Sequence, residues 1–376
     1  MKKVFALLKR KYSTQHKKEH INSGSQWNLI WLKFKDHKLA KIGLYILFIF
    51  YFAVIFAPFI VPYDPWQDSE YIYTPPTRVR FFHNGVLKRP FVYRLKVIVD
   101  NSTFERNFEV DTSKIYPVHF FVTGYEYRLL GIFKSRLHLF GVDKSASINL
   151  LGTDVLGRDC FSRNLLGMQI SLTVGMLGVI ITFILGCIIG GISGYYGGIV
   201  DNFLQRLMEF ITCIPTIPMW MALGAVIPNN WGNVKVYFAI TIILALRSWT
   251  GLSRQVRSKL LQLREEDYIV AAKVSGTSGW NIITTHLLPG FISYLIVSLT
   301  LEIPKMILGE TTLSFLGLGL RPPTLSWGVL LQDAQNLAAV SAFPWLMFPA
   351  LLVILSILAF NFVGDGLRDA ADPYKD

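Results

Sequence analysis

The sequence predicts an all-α polytopic membrane protein with six transmembrane helices and a small, mostly β insertion between the first two. The first observation is composition: of 376 residues, 52% are hydrophobic and 16% are charged, with a mean hydropathy of +0.41. Soluble domains carry about 25% charged residues. The second observation is that several apolar runs reach the roughly 18 residues needed to cross a ~30 Å hydrocarbon core.

Six apolar runs define the predicted spans. They cover residues 42–62, 170–192, 207–227, 236–250, 291–308 and 345–363. The third run contains Pro215 and Pro218. Two interpretations are open for these prolines: they unwind the helix where a solute passes, or they lie in an ordinary proline-kinked helix packed by its neighbours.

The N-terminal segment, residues 1–41, is strongly basic. It holds eleven Lys or Arg residues and two acids and directly precedes the first apolar run. Such a segment is typical of a cytoplasmic anchor that contacts anionic lipid headgroups, rather than of a nucleic-acid-binding arm. With six crossings, the C-terminal tail is then cytoplasmic as well.

The segment between the first two spans, residues 63–165, is expected on the outer side of the membrane. It holds fourteen Lys or Arg residues, but long loops cross membranes largely regardless of charge. Its stretch FVYRLKVIVDNSTFERNFEV alternates apolar and polar residues around an Asp-Asn-Ser-Thr turn, which indicates a β-hairpin. A connection of this length rarely lacks structure, so we expect a small, mostly β extracytoplasmic domain.

A glycine repeat in the second span has two interpretations. Gly186, Gly190 and Gly194 recur every four residues, which favours close packing against another helix. Gly191 and Ser193, with Gly194, also match the G-x-S-G of rhomboid-type intramembrane serine proteases. That serine needs a nearby base, yet all seven histidines lie outside the predicted spans. Helix packing is therefore the better interpretation.

A polar loop, residues 253–290, follows the fourth span and is cytoplasmic in this topology. EEDYIVAAKVSG predicts a short helix with acids at its start and Gly276 as a left-handed C-terminal cap. GWNIITTHLL predicts a second short helix that ends at Pro289. Ala271 and Ala272 give the first helix a small, flat face that a partner can approach closely. An ordinary amphipathic interfacial loop is the alternative.

The order of residues in this loop resembles the signature of ABC importer permeases: an alanine pair, a glycine four residues after it, and a Leu-Pro pair. In that family the loop is the coupling helix, which docks into a cleft on the cytoplasmic ATPase. The resemblance implies coupling roles for Asp267, Tyr268, Ala271, Ala272, Gly276, Leu288 and Pro289. Val270 and His286 depart from the general family pattern. Asp267-Tyr268 and His286 instead resemble the peptide-importer branch.

Four further segments are similar to the C-type permease of oligopeptide and dipeptide importers. They are LLGTDVLGRDCFSRNLLG (150–167), GYYGGIVDNFLQRL (194–207), LGETTLSFLGLGLRPPTLSWGVLLQDAQN (308–336) and FVGDGLRDAADP (362–373). The resemblance implies the ABC type I importer permease fold, with residues 166–376 as the permease core. It also implies a bacterial cytoplasmic membrane protein.

The resemblance further implies the partners of this chain. They are a second permease of the B type, two ABC ATPase subunits and an extracytoplasmic solute-binding protein. The chain contains no G-x-x-x-x-G-K-[ST] phosphate loop, so ATP and Mg are expected on the ATPases and no cofactor on this chain. We expect no catalytic residues in a permease. We also expect no metal site, because no zinc-type His or Cys spacing occurs.

The sequence does not determine which solute is transported. Members of the family carry peptides, nickel complexes, glutathione or oligosaccharides, and peptides fit the branch that the motifs resemble. A channel is the alternative from another class, but nothing in the sequence resembles a carbonyl filter or a ring of charges. A requirement for ATP would separate the two.

Two charges lie inside the fifth apolar run, FISYLIVSLTLEIPKMIL. Glu302 and Lys305 are three residues apart and share a helix face. Charges within a membrane usually pair or face a cavity, and Pro304 removes a backbone donor between them. Either the two residues line the outer part of a translocation path as a latch, or they lie close to the outer interface, where snorkelling makes them tolerable.

Overall fold

The computed structural model of the protein describes residues 26–83, 85–99, 106–129, 131–143 and 145–371. Two sequence-based predictions lie partly outside these residues. They concern residues 1–25 of the basic segment and the turn at residues 100–105 of the predicted hairpin.

Helices dominate the described residues. The α-helices are α1 (Gln26–Asp36), α2 (Lys38–Ile60), α3 (Cys160–Tyr196), α4 (Gly198–Cys213), α5 (Thr216–Ala225), α6 (Asn233–Leu263), α7 (Asp267–Val274), α8 (Gly279–Asn281), α9 (Ile292–Phe315), α10 (Trp327–Leu330), α11 (Leu337–Ala342) and α12 (Phe348–Ala371). A π-helical turn (Ile282–Leu287) and a 3-10 turn (Leu288–Phe291) join α8 to α9, and further 3-10 turns lie at Leu331–Gln335 and Pro344–Met347.

Five helical segments of the described chain are long and apolar enough to cross a membrane. They are Lys38–Ile60, Cys160–Tyr196, Asn233–Leu263, Gly279–Phe315 and Pro344–Ala371. A sixth span results if the bent pair α4 and α5 counts as one. This count agrees with the six predicted spans.

The predicted third span is broken at Pro215. Helices α4 and α5 meet at an angle of 84°, with Ile214 and Pro215 between them in extended backbone conformations. Pro215 carries no N–H and so cannot continue the α4 hydrogen-bond ladder. Pro218 lies within the first turn of α5, where a missing N–H costs little.

The contact between α3 and α6 is close because glycines face the partner helix. A Cβ added at Gly186 would lie 2.8 Å from Leu252 Cδ2, and one at Gly194 would lie 2.8 Å from Leu260 Cβ. A Cβ at Gly190 would overlap the carbonyl oxygen of Ser253. The predicted packing face is confirmed. Residue numbers rise together along both helices, so α3 and α6 run parallel.

Helix α9 also packs against α3 and runs antiparallel to it. A Cβ at Gly175 would lie 2.9 Å from Ile307 Cγ1, and one at Gly178 would lie 3.2 Å from Met306 Sδ. Helix α12 packs against α2 and α9. The α1 helix joins this group, because Phe34 is buried in the cluster that contains Ala359 and Val363 of α12.

The five strands of the described residues lie between α2 and α3. They are β1 (Arg80–His83), β2 (Val86–Val99), β3 (Arg106–Pro117), β4 (His119–Leu129) and β5 (Phe133–Gly141). Strands β1, β2 and β3 form one antiparallel sheet, and β4 and β5 form a separate hairpin. The β2–β3 pair corresponds to the predicted hairpin, with Val99 opposite Arg106.

The second hairpin is attached to the end of α2. The ring of His138 is buried between two backbone carbonyls, with Nδ1 2.7 Å from the oxygen of Val61 and Nε2 3.0 Å from that of Tyr125. The ring of Phe121 lies 6.3 Å from that of Phe59 of α2. These contacts place the β4–β5 hairpin beside the helix end.

We predict that Gly190→Val destabilises the protein, because its side chain would meet the Ser253 carbonyl and Val256 of α6. Overpacking of a tight contact costs about 1–3 kcal/mol. The measurement is the thermal unfolding midpoint in detergent. Gly232→Ala is the matched control, because a Cβ there meets no heavy atom of the described residues within 4 Å. An unchanged midpoint in Gly190→Val would show that the α3–α6 contact is looser than described.

Candidate functional site

The loop after α6 forms a capped helix, α7. Gly276 has φ +81°, its N–H donates to the Lys273 carbonyl at 3.1 Å, and the Thr277 N–H donates to the Ala272 carbonyl at 3.1 Å. This pair of bonds is the Schellman arrangement, which requires a left-handed residue after the helix. The predicted glycine cap is confirmed.

One face of α7 is open. The exposed residues include Asp267, Tyr268, Ala271 and Val274, and the side chain of Val274 is 84% exposed. Ala272 differs from its neighbour, because it packs partly against the buried cluster beneath the loop. The small exposed surface of the alanine pair is therefore provided by Ala271.

The buried side of the loop rests on α3 and α6. Ile269 of α7 and Ile282, Ile283 and Leu287 of the π-turn are buried in a cluster with Val256 of α6. Leu288 packs against the same cluster from its edge. Because four large apolar side chains are removed from solvent, the loop is packed firmly against the helices.

The second loop helix ends directly before Pro289, close to the prediction. The π-helical turn stops at Leu287, a 3-10 turn follows from Leu288 to Phe291, and Phe291 leaves helical geometry (φ −133°, ψ 24°) before α9 begins. The Leu288 N–H donates to the Ile283 carbonyl, which is the wider π-helical register. Pro289 then occupies the start of a new 3-10 turn, where its missing N–H breaks no bond.

The loop also contacts the end of α3. Lys273 Nζ lies 5.6 Å from the ring centroid of Tyr195. A Cβ at Gly279 would lie 2.7 Å from Tyr195 Cε1 and 3.0 Å from the Tyr196 hydroxyl. The absence of a side chain at Gly279 thus allows α8 to lie directly on the two tyrosines.

Just beyond these tyrosines, an ion pair joins three helices. Asp201 of α4 accepts two hydrogen bonds from Arg257 of α6, each of 2.5 Å. The Ser193 hydroxyl of α3 donates to Asp201 Oδ1 at 2.5 Å. Sequence reasoning missed this cluster, although Asp201 stands in the GYYGGIVDNFLQRL segment. The same contacts show that the partner of Ser193 is a carboxylate engaged by Arg257, and not a histidine.

Glu302 and Lys305 of α9 are paired, as their spacing predicts. Lys305 Nζ donates to Glu302 Oε1 at 2.6 Å, and the lysine side chain is 66% exposed. Pro304 between them is buried. Since Ile303 and Ile307 meet Gly175 of α3, the pair lies several residues inside the apolar run of α3 rather than at its end.

A second carboxylate of α9, Glu310, was not singled out from the sequence. It is fully buried, and it accepts hydrogen bonds from Ser314 at 2.8 Å and Ser171 of α3 at 3.1 Å. The Ser171 oxygen accepts from the Trp327 N–H at 3.0 Å, and Ser314 accepts from the Leu320 N–H at 3.0 Å. Glu310 thereby anchors the segment after α9 to α3.

Another charged cluster lies at the start of α3. Asp154 accepts hydrogen bonds from Arg158 at 2.8 Å and Arg163 at 2.6 Å. Burial raises the pKa of Asp333 nearby, and the negative charge of Asp154 raises it further. Burial likewise raises the pKa of Asp159 to about 6, against the hydrogen bonds from Ser162. Asp333 of the 3-10 turn at 331–335 lines the same small cavity as Asp154 and Arg163.

Comparison with known families covers most of the chain. A family model described as "Binding-protein-dependent transport system inner membrane component" matches residues 183–375. A second, described as "N-terminal TM domain of oligopeptide transport permease C", matches residues 25–76. The first match includes the loop, the ion pair of Asp201 and both carboxylates of α9.

Individual relatives extend the match to the whole chain. The dipeptide transport system permease protein DppC of Lactococcus lactis is 30% identical over 380 residues, covering 99% of this chain and 98% of the relative. DppC of Bacillus subtilis is 39% identical over 224 residues, covering 59% and 68%. A solved chain of the inward-facing MetNI methionine ABC transporter aligns with a TM-score of 0.43 at 16% identity, over 54% of this chain and 94% of that chain.

Proposed function

This chain belongs to the family of binding-protein-dependent transport system inner membrane components, and we propose that it is the C-type permease subunit of an ATP-driven importer of oligopeptides or dipeptides. The full-length similarity to a dipeptide permease supports this substrate class. In this role the chain forms half of the translocation path. A B-type permease forms the other half, two ATPase subunits hold ATP and Mg, and an external solute-binding protein delivers the peptide.

The coupling role is assigned to α7 and the turn that follows it. Its open face carries Tyr268, Ala271 and Val274, so it offers apolar and small groups to a partner surface. Its rear is fixed by Ile269 and by Lys273 on Tyr195. A force applied to α7 is therefore passed to α3 and α6 through direct contacts. This combination of an open face and a fixed rear is the observation that supports the proposal.

The contacts of the loop lead towards the broken span. Tyr195 and Tyr196 end α3, Gly197 and Gly198 turn the chain, and Asp201 of α4 is held by Arg257 of α6. Movement of α7 relative to the membrane thus reaches α4, whose far end is the break at Pro215. We assign Pro215 and Pro218 to the translocation path on this basis, with Glu302 and Lys305 further along it.

This assignment also determines on which side of the membrane the two termini and the insertion lie. Residues 1–41 form a cytoplasmic basic segment, residues 166–376 form the permease core, and both termini are cytoplasmic. Helix α1 exposes Trp31, with Lys35 Nζ 5.2 Å from its ring, as expected for an interfacial helix on anionic lipid. Residues 63–165 form the extracytoplasmic insertion, and residues 63–149 within it contact the binding protein or cover the entrance.

We predict that Gly276→Val uncouples transport. A β-branched residue at positive φ costs roughly 1–2 kcal/mol, which distorts the cap that presents α7. ATP-driven uptake of a labelled tripeptide into proteoliposomes should fall about tenfold, while Gly276→Asn, which tolerates this conformation, should retain most of it. Ala271→Leu should reduce co-purification of the ATPases.

Three results of the same assay would count against the proposal. Peptide uptake without ATP would indicate a channel. Equal uptake by Gly276→Val and wild type, with the ATPases retained at full yield, would remove the coupling role from α7. Mass spectrometry of the ligand held by the purified binding protein identifies the solute, and a non-peptide ligand would overturn the substrate class.

We predict opposite sides for the insertion and the loop. Cysteines replacing the exposed residues Thr112 and Ser278 should differ in reactivity towards an impermeant thiol reagent applied to intact cells. Thr112→Cys should react and Ser278→Cys should not, until the cells are permeabilised. The exposed Cys213 is first replaced by serine, whereas Cys160 and Cys187 are buried. The reverse labelling pattern would invert the topology.

We predict that the Glu302–Lys305 pair acts as a latch in the path. Reversing either charge alone leaves two like charges in contact, which is costly within a membrane. Each single reversal should therefore reduce peptide uptake, and the double reversal, Glu302→Lys with Lys305→Glu, should recover part of it. Normal uptake by the single variants, or no recovery in the double variant at equal yield of the complex, would exclude the latch.

A further inference from the structure

Helix α6 carries an arginine, Arg247, deep within the membrane region. Because Gly186 meets Leu252 and Gly190 meets Val256 in parallel helices, Arg247 is level with about residue 181 of α3. That residue is the centre of the apolar run 170–192. An arginine does not lose its proton there, so its charge has to be paired or to face water.

No carboxylate of the described residues forms an ion pair with Arg247. One of its terminal nitrogens donates to the Thr250 hydroxyl at 3.2 Å, and its Nε is buried without a partner among the described residues. Arg254, two turns further on, donates to the Thr212 hydroxyl at 3.2 Å and forms no ion pair with a carboxylate of the part of the chain that the structure describes. Arg257 on the same helix is, by contrast, fully engaged by Asp201. The charge of Arg247 is therefore left to water or to a group from outside the described chain.

The two arginines flank an uncovered glycine. Arg247, Gly251 and Arg254 follow one another at spacings of four and three residues, which places them on one face of α6. A Cβ at Gly251 would meet no heavy atom of the described residues within 4 Å. Thr212, the contact of Arg254, lies at the end of α4 directly before the break at Pro215. The face is thus open and adjoins the broken span.

From this arrangement we propose that Arg247, with Arg254, binds the C-terminal carboxylate of the peptide during its passage. The inference rests on the proposed function, since it requires a peptide as solute. A guanidinium binds a carboxylate through paired, charge-assisted hydrogen bonds. Every linear peptide with a free end carries this group whatever its side chains. The open glycine leaves room for the backbone of the solute to approach α6 closely.

The test compares trialanine with its C-terminal amide in proteoliposomes that contain the whole complex and its binding protein. The ratio of variant to wild-type uptake is taken for each peptide, which removes the preference of the binding protein. Arg247→Gln should lower uptake of the free acid about tenfold, as expected for loss of a charge-assisted pair. It should change uptake of the amide less than about twofold. Arg247→Lys, which keeps the charge, should lower free-acid uptake less.

Lys235→Gln is the matched control. Lys235 is an exposed cation in the first turn of the same helix, so its loss should leave both ratios unchanged. Equal losses of free-acid and amide uptake in Arg247→Gln would show a structural role and overturn the inference. Loss of the second permease from the purified Arg247→Gln complex would place the counter-charge on that partner, which also overturns it.

The same experiment distinguishes failure of the proposed function from failure of the carboxylate site. If the wild-type complex takes up neither peptide, the proposed function fails and the carboxylate site fails with it. If the wild type takes up trialanine and Arg247→Gln keeps the wild-type ratio of acid to amide, the carboxylate site alone is excluded. A selective loss of free-acid uptake supports both.

Discussion

The close contact between α3 and α6 is the constraint on which the other features depend. Lipid provides little hydrophobic drive for one apolar helix to bind another, so close van der Waals packing becomes decisive. Gly186, Gly190 and Gly194 provide it, because their missing side chains allow α6 to approach within contact of the α3 backbone. The buried cluster beneath the loop 253–290 begins at this same contact, with Leu252, Val256 and Leu260 of α6.

The contact also determines where charges can be satisfied. It brings Arg257 to Asp201 and Ser193 near the loop, and it leaves Arg247 level with the centre of α3, away from any carboxylate of the described residues. Glu310 is also buried, and its carboxyl group is satisfied by hydrogen bonds from the hydroxyls of Ser171 and Ser314. Within one domain, some charged side chains are thus bound by the fold, whereas Arg247 has no carboxylate partner among the described residues.

The loop gains its proposed function from an asymmetry between its two faces. Buried isoleucines and the Lys273–Tyr195 contact fix one face to the membrane helices, while the other presents Tyr268, Ala271 and Val274 to a partner. A flexible loop would absorb movement of the partner instead of passing it on. The π-helical and 3-10 turns after Gly279 connect the loop directly to α9.

Local chemistry in the sequence was enough to predict the apolar runs, the glycine face, the left-handed cap at Gly276 and the pairing of Glu302 with Lys305. Each depends on residues within a few positions of one another, so hydrophobic length, backbone sterics or helical spacing decides it. The motifs also identified the family. Only the tertiary structure decided that Asp201 binds Arg257 and that Arg247 lacks a carboxylate partner among the described residues. These features depend on groups far apart in sequence, and their positions exist only after the helices have packed.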